Sequence, residues 1–540
     1  MLKLWGSLLS TALILTAVSA HAGPASTPCQ ALASLSLPST KITLAETVAA
    51  GTFTLPPSPQ PPIGPPPNFK DLPAFCRVVA EATPTPDSDI KIEVWMPASG
   101  WNHRYRGQGN GGFAGVIDYN GMAAQLKQGY ATAGTDTGHS ASGIDAAWAL
   151  GHPEKVADFG YRGIHEMTVK AKAIIGAFYG GGPDRSYFAS CSDGGREALM
   201  EAQRFPADYD GILAGAPANY WTHLLTAAMW DMQATALDPA GYIPANKIPA
   251  LSAAVLKACD ARDGVTDGIV NDPRQCDFDP ATLLCQGVDS ASCLSAPQVA
   301  ALKKLYAGPQ DSSGRRIFPG YPPGGEDGPG GWPLWVTGPE PGRSLMFFFG
   351  AGYFTNMVYE KSGWDPKSFK LEDSLKLAET KTAHMLDATN PDLGPLMRRG
   401  GKLVLYHGWS DAAIPATNTI DYYGAVASKL GQREVNSFVR LYMAPGMQHC
   451  SGGPGPHSFG QDGAPVPDDP EHNIYAALQQ WVEKGSAPSS IVATKYNDDS
   501  DPAKGISMTR PLCPYPQMAK YKGSGDTNDA ANFVCRAEVK

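Results

Sequence analysis

Three residues stand in contexts that suit nucleophilic catalysis. They are Ser192 in Ser190-Cys191-Ser192-Asp193-Gly194, Asp411 in Gly408-Trp409-Ser410-Asp411, and His449 in Pro445-Gly446-Met447-Gln448-His449. A serine hydroxyl attacks a carbonyl efficiently only when a base takes its proton. A histidine oriented by a carboxylate is such a base, and the chemistry would be acyl transfer. The chain holds 11 histidines, so a histidine alone means little. His407 is the chief rival base, but it ends an apolar run beside Gly408 and reads as structural. Asp193 is a rival acid, yet its backbone N–H is what the reaction needs beside the nucleophile.

The elements around these residues decide whether they can meet. Arg185 to Ser190 is a short apolar run, and Arg196 to Phe205 is rich in helix formers. Ser192 therefore sits on a strand–turn–helix, the setting of a nucleophile elbow. Gly194 has the small residue expected two places after the nucleophile. Ser190 stands where glycine is usual, but it is still small. Lys402 to Tyr406 and Val439 to Met443 read as strands that end just before Asp411 and His449. Both thus fall at the carboxyl ends of strands, where open α/β sheets place their sites. The tetrahedral oxyanion of acyl transfer needs N–H donors. Asp193 supplies one, and the loop Gln108-Gly109-Asn110-Gly111-Gly112-Phe113 fits as the source of the second.

Further strands are expected at Ile90 to Met96 and Tyr130 to Gly134, with helices at Ile164 to Tyr179 and Asn473 to Lys484. Tyr209 to Gly215 is the strand after the nucleophile helix. Strands alternating with helices imply a mostly parallel sheet covered on both faces, an α/β-hydrolase core. Residues 217–395 break that pattern and read as an inserted lid domain. The core is then split into residues 23–216 and 396–540. Residues 55–68 are proline-dense and are expected to run extended over the surface.

The first 22 residues read as a signal peptide. Lys3 gives a positive start, Leu8 to Val18 is apolar, and Ala20-His21-Ala22 offers small residues for cleavage. The apolar stretch is too short to span a bilayer comfortably. The expectation is a secreted or periplasmic protein. Ten cysteines in an oxidising compartment suggest disulfides. Sequence alone does not fix their connectivity. Pairing neighbours gives Cys29–Cys76, Cys259–Cys276, Cys285–Cys293 and Cys513–Cys535, with Cys191 and Cys450 left over. The net charge of −9 gives no general field for nucleic acid or an anionic membrane. The expected partner is a small-molecule ester, and the sequence is silent on oligomeric state.

The chain resembles the tannase and feruloyl esterase family. The resemblance rests on Cys191-Ser192 and His449-Cys450 with Asp411 between them. It extends along SCSDGGREALMEAQRFPADYDGILAGAP, YHGWSDAAIP, PGMQHCSGGPG and RPLCPYPQMAKYKGSG. It implies an α/β-hydrolase core with a large lid, and a disulfide joining the cysteines next to the catalytic serine and histidine, here Cys191–Cys450. By position it implies that Gly112 and Asp193 supply the oxyanion N–H groups. It also implies a structural calcium ion in the lid, held by the side chains of Asp260, Asp263 and Asp267 and the carbonyls of Val265 and Ile269. Carboxylates this dense repel one another unless solvated or joined to a cation.

The family's substrates are esters of aromatic acids, including feruloyl, galloyl and terephthalate half-esters. An aromatic-rich lid suits a flat acyl ring. Phe349 and Tyr353 are the expected substrate-binding residues. The terephthalate-ester members hold a free carboxylate with a lid arginine. Phe349 falls near that position here, with Arg343 a few residues upstream as a substitute. Two other readings stand beside this one. A lipase- or peptidase-like serine hydrolase on the same core would turn over triglycerides or peptides. A non-catalytic binding module would not label at Ser192 with a fluorophosphonate.

Overall fold

The structure is a computed structural model, and it describes residues 1, 26–56, 68–237 and 239–537. The proposed signal peptide and most of the proline-dense stretch lie outside the described residues. Nine strands form one sheet. They are β1 (Thr40–Val48), β2 (Phe75–Ala82), β3 (Ile90–Pro97), β4 (Arg104–Gln108), β5 (Ala131–Thr135), β6 (Arg185–Cys191), β7 (Gly211–Gly215), β8 (Lys402–Gly408) and β9 (Val439–Ala444). Their spatial order is β1-β2-β3-β5-β4-β6-β7-β8-β9. The first three are antiparallel to their neighbours, and from β5 to β9 every pairing is parallel. β6 is buried from Ser186 to Cys191, as a central parallel strand covered on both faces must be.

Helices cover both faces. On one side lie α2 (Gly163–Tyr179), α3 (Asp193–Arg204) and α8 (Thr417–Leu430). They bury Ile164, Ile174, Leu199 and Val426 against Val94, Phe188 and Leu405 of the sheet. On the other side lie α1 (Tyr119–Lys127) and α9 (Ile474–Lys484), contributing Met122, Leu126, Leu478 and Trp481. Asn473 is not in α9 but caps it, its Oδ1 accepting the Tyr475 and Ala476 N–H groups. These layers make the α/β-hydrolase core.

Among the described residues, the chain between β7 and β8 contains helices and no strand. Its main elements are α4 (Trp221–Thr235), α5 (Ile248–Cys259), α6 (Ala296–Ala307) and α7 (Leu345–Tyr353). α4 and α7 pack around Leu225, Met229 and Phe354, and α5 and α6 pack around Trp332. A C-terminal pair of two-stranded sheets follows α9: β10 (Ile491–Tyr496) with β11 (Ile506–Leu512), and β12 (Gln517–Tyr521) with β13 (Phe533–Ala537). Five disulfides join Cys29–Cys76, Cys191–Cys450, Cys259–Cys276, Cys285–Cys293 and Cys513–Cys535.

Candidate active site

Ser192 occupies the turn between β6 and α3 with φ 66° and ψ −124°. A non-glycine residue pays strain for a positive φ, and the surrounding contacts hold it there. The Ser192 N–H donates to the Gly215 carbonyl of β7 at 3.0 Å, and its own carbonyl accepts from Ala218. Gly194 is forced by proximity: a Cβ there would lie 2.0 Å from Ser190 Oγ and 2.7 Å from the Asn110 carbonyl. The small side chain of Ser190 is thus tolerated because the second residue of the helix opposite it is glycine.

β8 and β9 deliver the other two groups. His449 Nε2 lies 2.8 Å from Ser192 Oγ, and its Nδ1 lies 2.8 Å from Asp411 Oδ2. The two loops are tied together by backbone bonds, Trp409 N–H to the Ala444 carbonyl and Ser410 N–H to the Met447 carbonyl. The Cys191–Cys450 bond then fastens the histidine loop to the nucleophile strand. Asp411 Oδ1 accepts the N–H groups of Ala413 and Ile414, each at 2.8 Å. His407, read from sequence as merely structural, lies 3.1 Å from Asp411 Oδ2 through its Nε2. Burial pulls the Asp411 carboxyl upward, but the charge and hydrogen bonds of His449 and His407 outweigh it. The net displacement is well below the usual carboxylate range.

The glycine-rich loop after β4 stands beside this chain. Gly112 has φ 62°, and a Cβ on it would meet the Gly143 carbonyl at 2.2 Å. The Phe113 N–H is spent on that same carbonyl at 2.7 Å. The loop is held from two sides. Glu197 of α3 accepts the Asn110 N–H at 2.9 Å, and His139 Nε2 lies 2.8 Å from the Phe113 carbonyl. Burial pushes His139 down to about 3, so its ring is neutral and Nε2 donates. Neither Glu197 nor His139 carried a sequence signal, because each works through a backbone group of a distant loop. Asp193 is buried, its carboxylate accepting from Arg196 Nε at 2.7 Å, which leaves its backbone N–H at the first turn of α3.

The two flanks of Ser192 differ in chemistry. On the side of the segment between β7 and β8 the Trp335 ring lies 5.1 Å from the His449 ring. Phe349 lies 6.4 Å from Trp335 and 5.3 Å from Phe113, over Gly112. A cleft of about 860 Å³, which Trp335 also lines, runs from Ser192 and His449 past Gln108, Asn110 and Asp118 to Gln125 and Asn473. Tyr353, expected to bind substrate, does not: it is fully buried and its hydroxyl bonds to Thr382 Oγ1 at 2.6 Å. In α7 it lies one helical turn beyond Phe349 but turns into the lid core, behind Phe354. Arg343 is exposed in the turn before α7.

The acidic loop after α5 is compact. Asp260 accepts the N–H groups of Asp267 and Gly268, and Asp263 accepts that of Val265. Asp267 accepts the Ile269 N–H and pairs with Arg510 of β11 at 2.5 Å. Val265 and Ile269 are buried in the same loop. Burial raises Asp263, and it raises Asp267 to about 6 against the opposing charge of Arg510. One arginine does not satisfy three clustered carboxylates, and this oxygen-rich donor set fits a hard divalent cation.

A strand–turn–helix serine, hydrogen-bonded to a histidine and through it to an aspartate at the ends of parallel strands, defines a hydrolase of the α/β class. Comparison with known proteins narrows it. The family model for tannase and feruloyl esterase matches residues 76–536. An uncharacterised esterase of Xanthomonas campestris is 42% identical over 538 residues, covering 95% of this chain and 91% of that protein. Mono(2-hydroxyethyl) terephthalate hydrolase of Piscinibacter sakaiensis is 36% identical over 510 residues, covering 83% of this chain and 82% of that protein. The crystal structure of feruloyl esterase B from Aspergillus oryzae superimposes with a TM-score of 0.86 at 28% identity, covering 94% and 99% of the two chains. The chain belongs to the tannase and feruloyl esterase family, and it is a carboxylic ester hydrolase.

Proposed function

We propose that the protein is a secreted serine hydrolase of esters of aromatic acids, acting through an acyl-enzyme on Ser192. The observation that carries this reading is the unbroken chain from Ser192 Oγ through His449 to Asp411, with both links at 2.8 Å. Ser192 Oγ attacks the ester carbonyl while His449 Nε2 takes its proton. Charge develops on the former carbonyl oxygen, where the Gly112 and Asp193 N–H groups receive it. His449 then returns the proton to the departing alcohol, leaving the acyl group on Ser192. Water enters, His449 takes its proton, and the same oxyanion forms and collapses to the free acid. Asp411 stays ionised throughout, fixing the His449 tautomer and stabilising the imidazolium.

The two flanks fit the two halves of an ester. Trp335 and Phe349, the latter backed by the buried Phe113, suit a planar acyl ring, which gains both area burial and edge or stacked contacts. The cleft past Gln108, Asn110 and Asp118 offers polar groups to the alcohol. Phe349 is aromatic, and Arg343 points its charge from an exposed turn, so a neutral phenolic acyl group is favoured over a terephthalate half-ester. Turnover of methyl ferulate, methyl gallate and the terephthalate half-ester under one condition tests this. The phenolic esters are expected to exceed the half-ester by at least about ten-fold in kcat/KM, the cost of one unpaired charge in the pocket. Preference for the half-ester would overturn the assignment of the acyl side.

Two supporting features complete the reading. Five disulfides suit an oxidising compartment, and no helix of the described residues is long and apolar enough to cross a membrane. A calcium ion would be held by the Asp260, Asp263 and Asp267 side chains with the Val265 and Ile269 carbonyls. Bound there it supplies positive charge to a loop that also meets Arg510, joining the insert to the C-terminal sheets.

A further inference from the structure

We infer that His407 is a positioning residue for the acid of the triad; this rests on the triad reading above. His407 is the penultimate residue of β8 and is fully buried, as is the Asp411 carboxylate. Its Nε2 lies 3.0 Å from the Ile414 carbonyl and 3.1 Å from Asp411 Oδ2. A carbonyl oxygen only accepts, so Nε2 carries a hydrogen in either protonation state of the ring. That hydrogen is shared between the Ile414 carbonyl and Asp411 Oδ2. The ring cannot turn away, because Nδ1 is engaged at 2.7 Å with Thr419 Oγ1 of α8.

The oxygen that receives this bond is the one His449 uses. Asp411 Oδ2 faces two imidazole N–H groups, from His449 Nδ1 at 2.8 Å and from His407 Nε2. Oδ1 takes the Ala413 and Ile414 N–H groups. Four donors fix both the plane of the carboxylate and its charge. Three of the four come from the segment His407 to Ile414 itself, so the loop is wound around its own acid. His407 also links the carbonyl of Ile414 to the carboxylate that binds the Ile414 N–H, closing the turn on both sides. The result is that Oδ2 is presented to His449 Nδ1, and the Nε2 lone pair is left for Ser192. His407 touches neither substrate nor the reacting atoms, so its effect on turnover runs through Asp411.

The test compares two substitutions with different hydrogen-bonding capacity. The side-chain amide of His407→Gln places a donor where Nε2 stood, whereas His407→Phe keeps the ring volume and removes both polar atoms. His407→Phe is expected to lower kcat by about 10- to 100-fold, the loss of one hydrogen bond to a charged group. KM should stay within about two-fold of wild type, because the acyl and alcohol flanks are untouched. His407→Gln is expected to recover kcat to within about three-fold, since one donor to the carboxylate remains. Fluorophosphonate labelling of Ser192 should slow in the same proportion as kcat. Wild-type kcat in folded His407→Phe, or equal losses in Phe and Gln, would overturn the inference. Should His407→Phe not fold, Thr419→Val decides: a several-fold fall in kcat at constant KM supports it, and unchanged kcat overturns it. Ser192→Ala is run beside these, and retained turnover there would sink the triad reading itself.

Discussion

Asp411 and Asp231 are both buried aspartates at the seam of core and insert, and the fields of both reach the phenol of Tyr321. They have opposite fates. Asp411 is given four N–H donors and stays ionised. For Asp231, in α4, burial dominates and lifts it to about 8, with the Tyr321 hydroxyl pulling only partly back. The same side chain is thus a permanent anion in one place and a neutral acid at pH 7 in the other. Burial does not decide this; the supply of donors does. The loop at Asp263 and Asp267 is a third case, where burial is met by the charge of Arg510.

Breaking the first half of the contrast should have the largest effect. Asp411→Asn keeps the shape but lets the wrong His449 tautomer form. Turnover of methyl ferulate should fall by roughly 10³- to 10⁴-fold with the fold retained. Activity near wild type would show that the four-donor site does not serve catalysis. Next comes the third case. Dialysis against a chelator should lower the melting temperature by several degrees, with recovery on adding calcium, because an ion bound only by the native loop stabilises it by mass action. An unchanged melting curve would leave the loop as a solvated acidic turn.

The smallest effect concerns Asp231 and follows from its sign. Its ordinary value is 3.8 and its folded value about 8. Below pH 4 both states hold the proton. Between about pH 4 and 8 the unfolded chain releases a proton that the folded chain keeps, so stability falls as pH rises. Asp411 runs the other way, its contribution being lost as pH falls through and below the ordinary carboxylate range. Asp231→Asn removes the first slope. Its melting temperature relative to wild type should rise by a few degrees from pH 5 to pH 8. A difference independent of pH would mean that Asp231 is not neutral in the fold.

Much of the core was legible because β6 to β9 are short apolar runs and α2, α3 and α9 are rich in helix formers, whereas α8 between β8 and β9 went unread. Ser192, His449 and Asp411 come together as their places after strands implied, and the five disulfides join the expected partners. β1 and β2 were missed. Thr40 to Val48 is mostly polar or half-exposed and has no apolar run to mark it. The lid aromatics were ambiguous for a physical reason. Leu345 to Tyr353 is apolar all round, so no periodicity says which ring faces the nucleophile. Phe349 lies beside Trp335 and Gly112, whereas Tyr353, expected beside the substrate, is buried. Asp411's second histidine was invisible because its contact depends on a tight turn, not on a repeat.

The bond between Cys191 and Cys450 spans 259 residues and encloses the whole of the insert. A covalent ring therefore surrounds every peptide bond between β7 and β8. A protease that nicks an exposed turn there cuts the chain without releasing a fragment, because the two halves remain one molecule through the sulfurs beside the nucleophile and the base. The nicked species would migrate as a single band until reduced, with Ser192 and His449 still in register. A cut within the insert would in this way leave the two halves of the core joined.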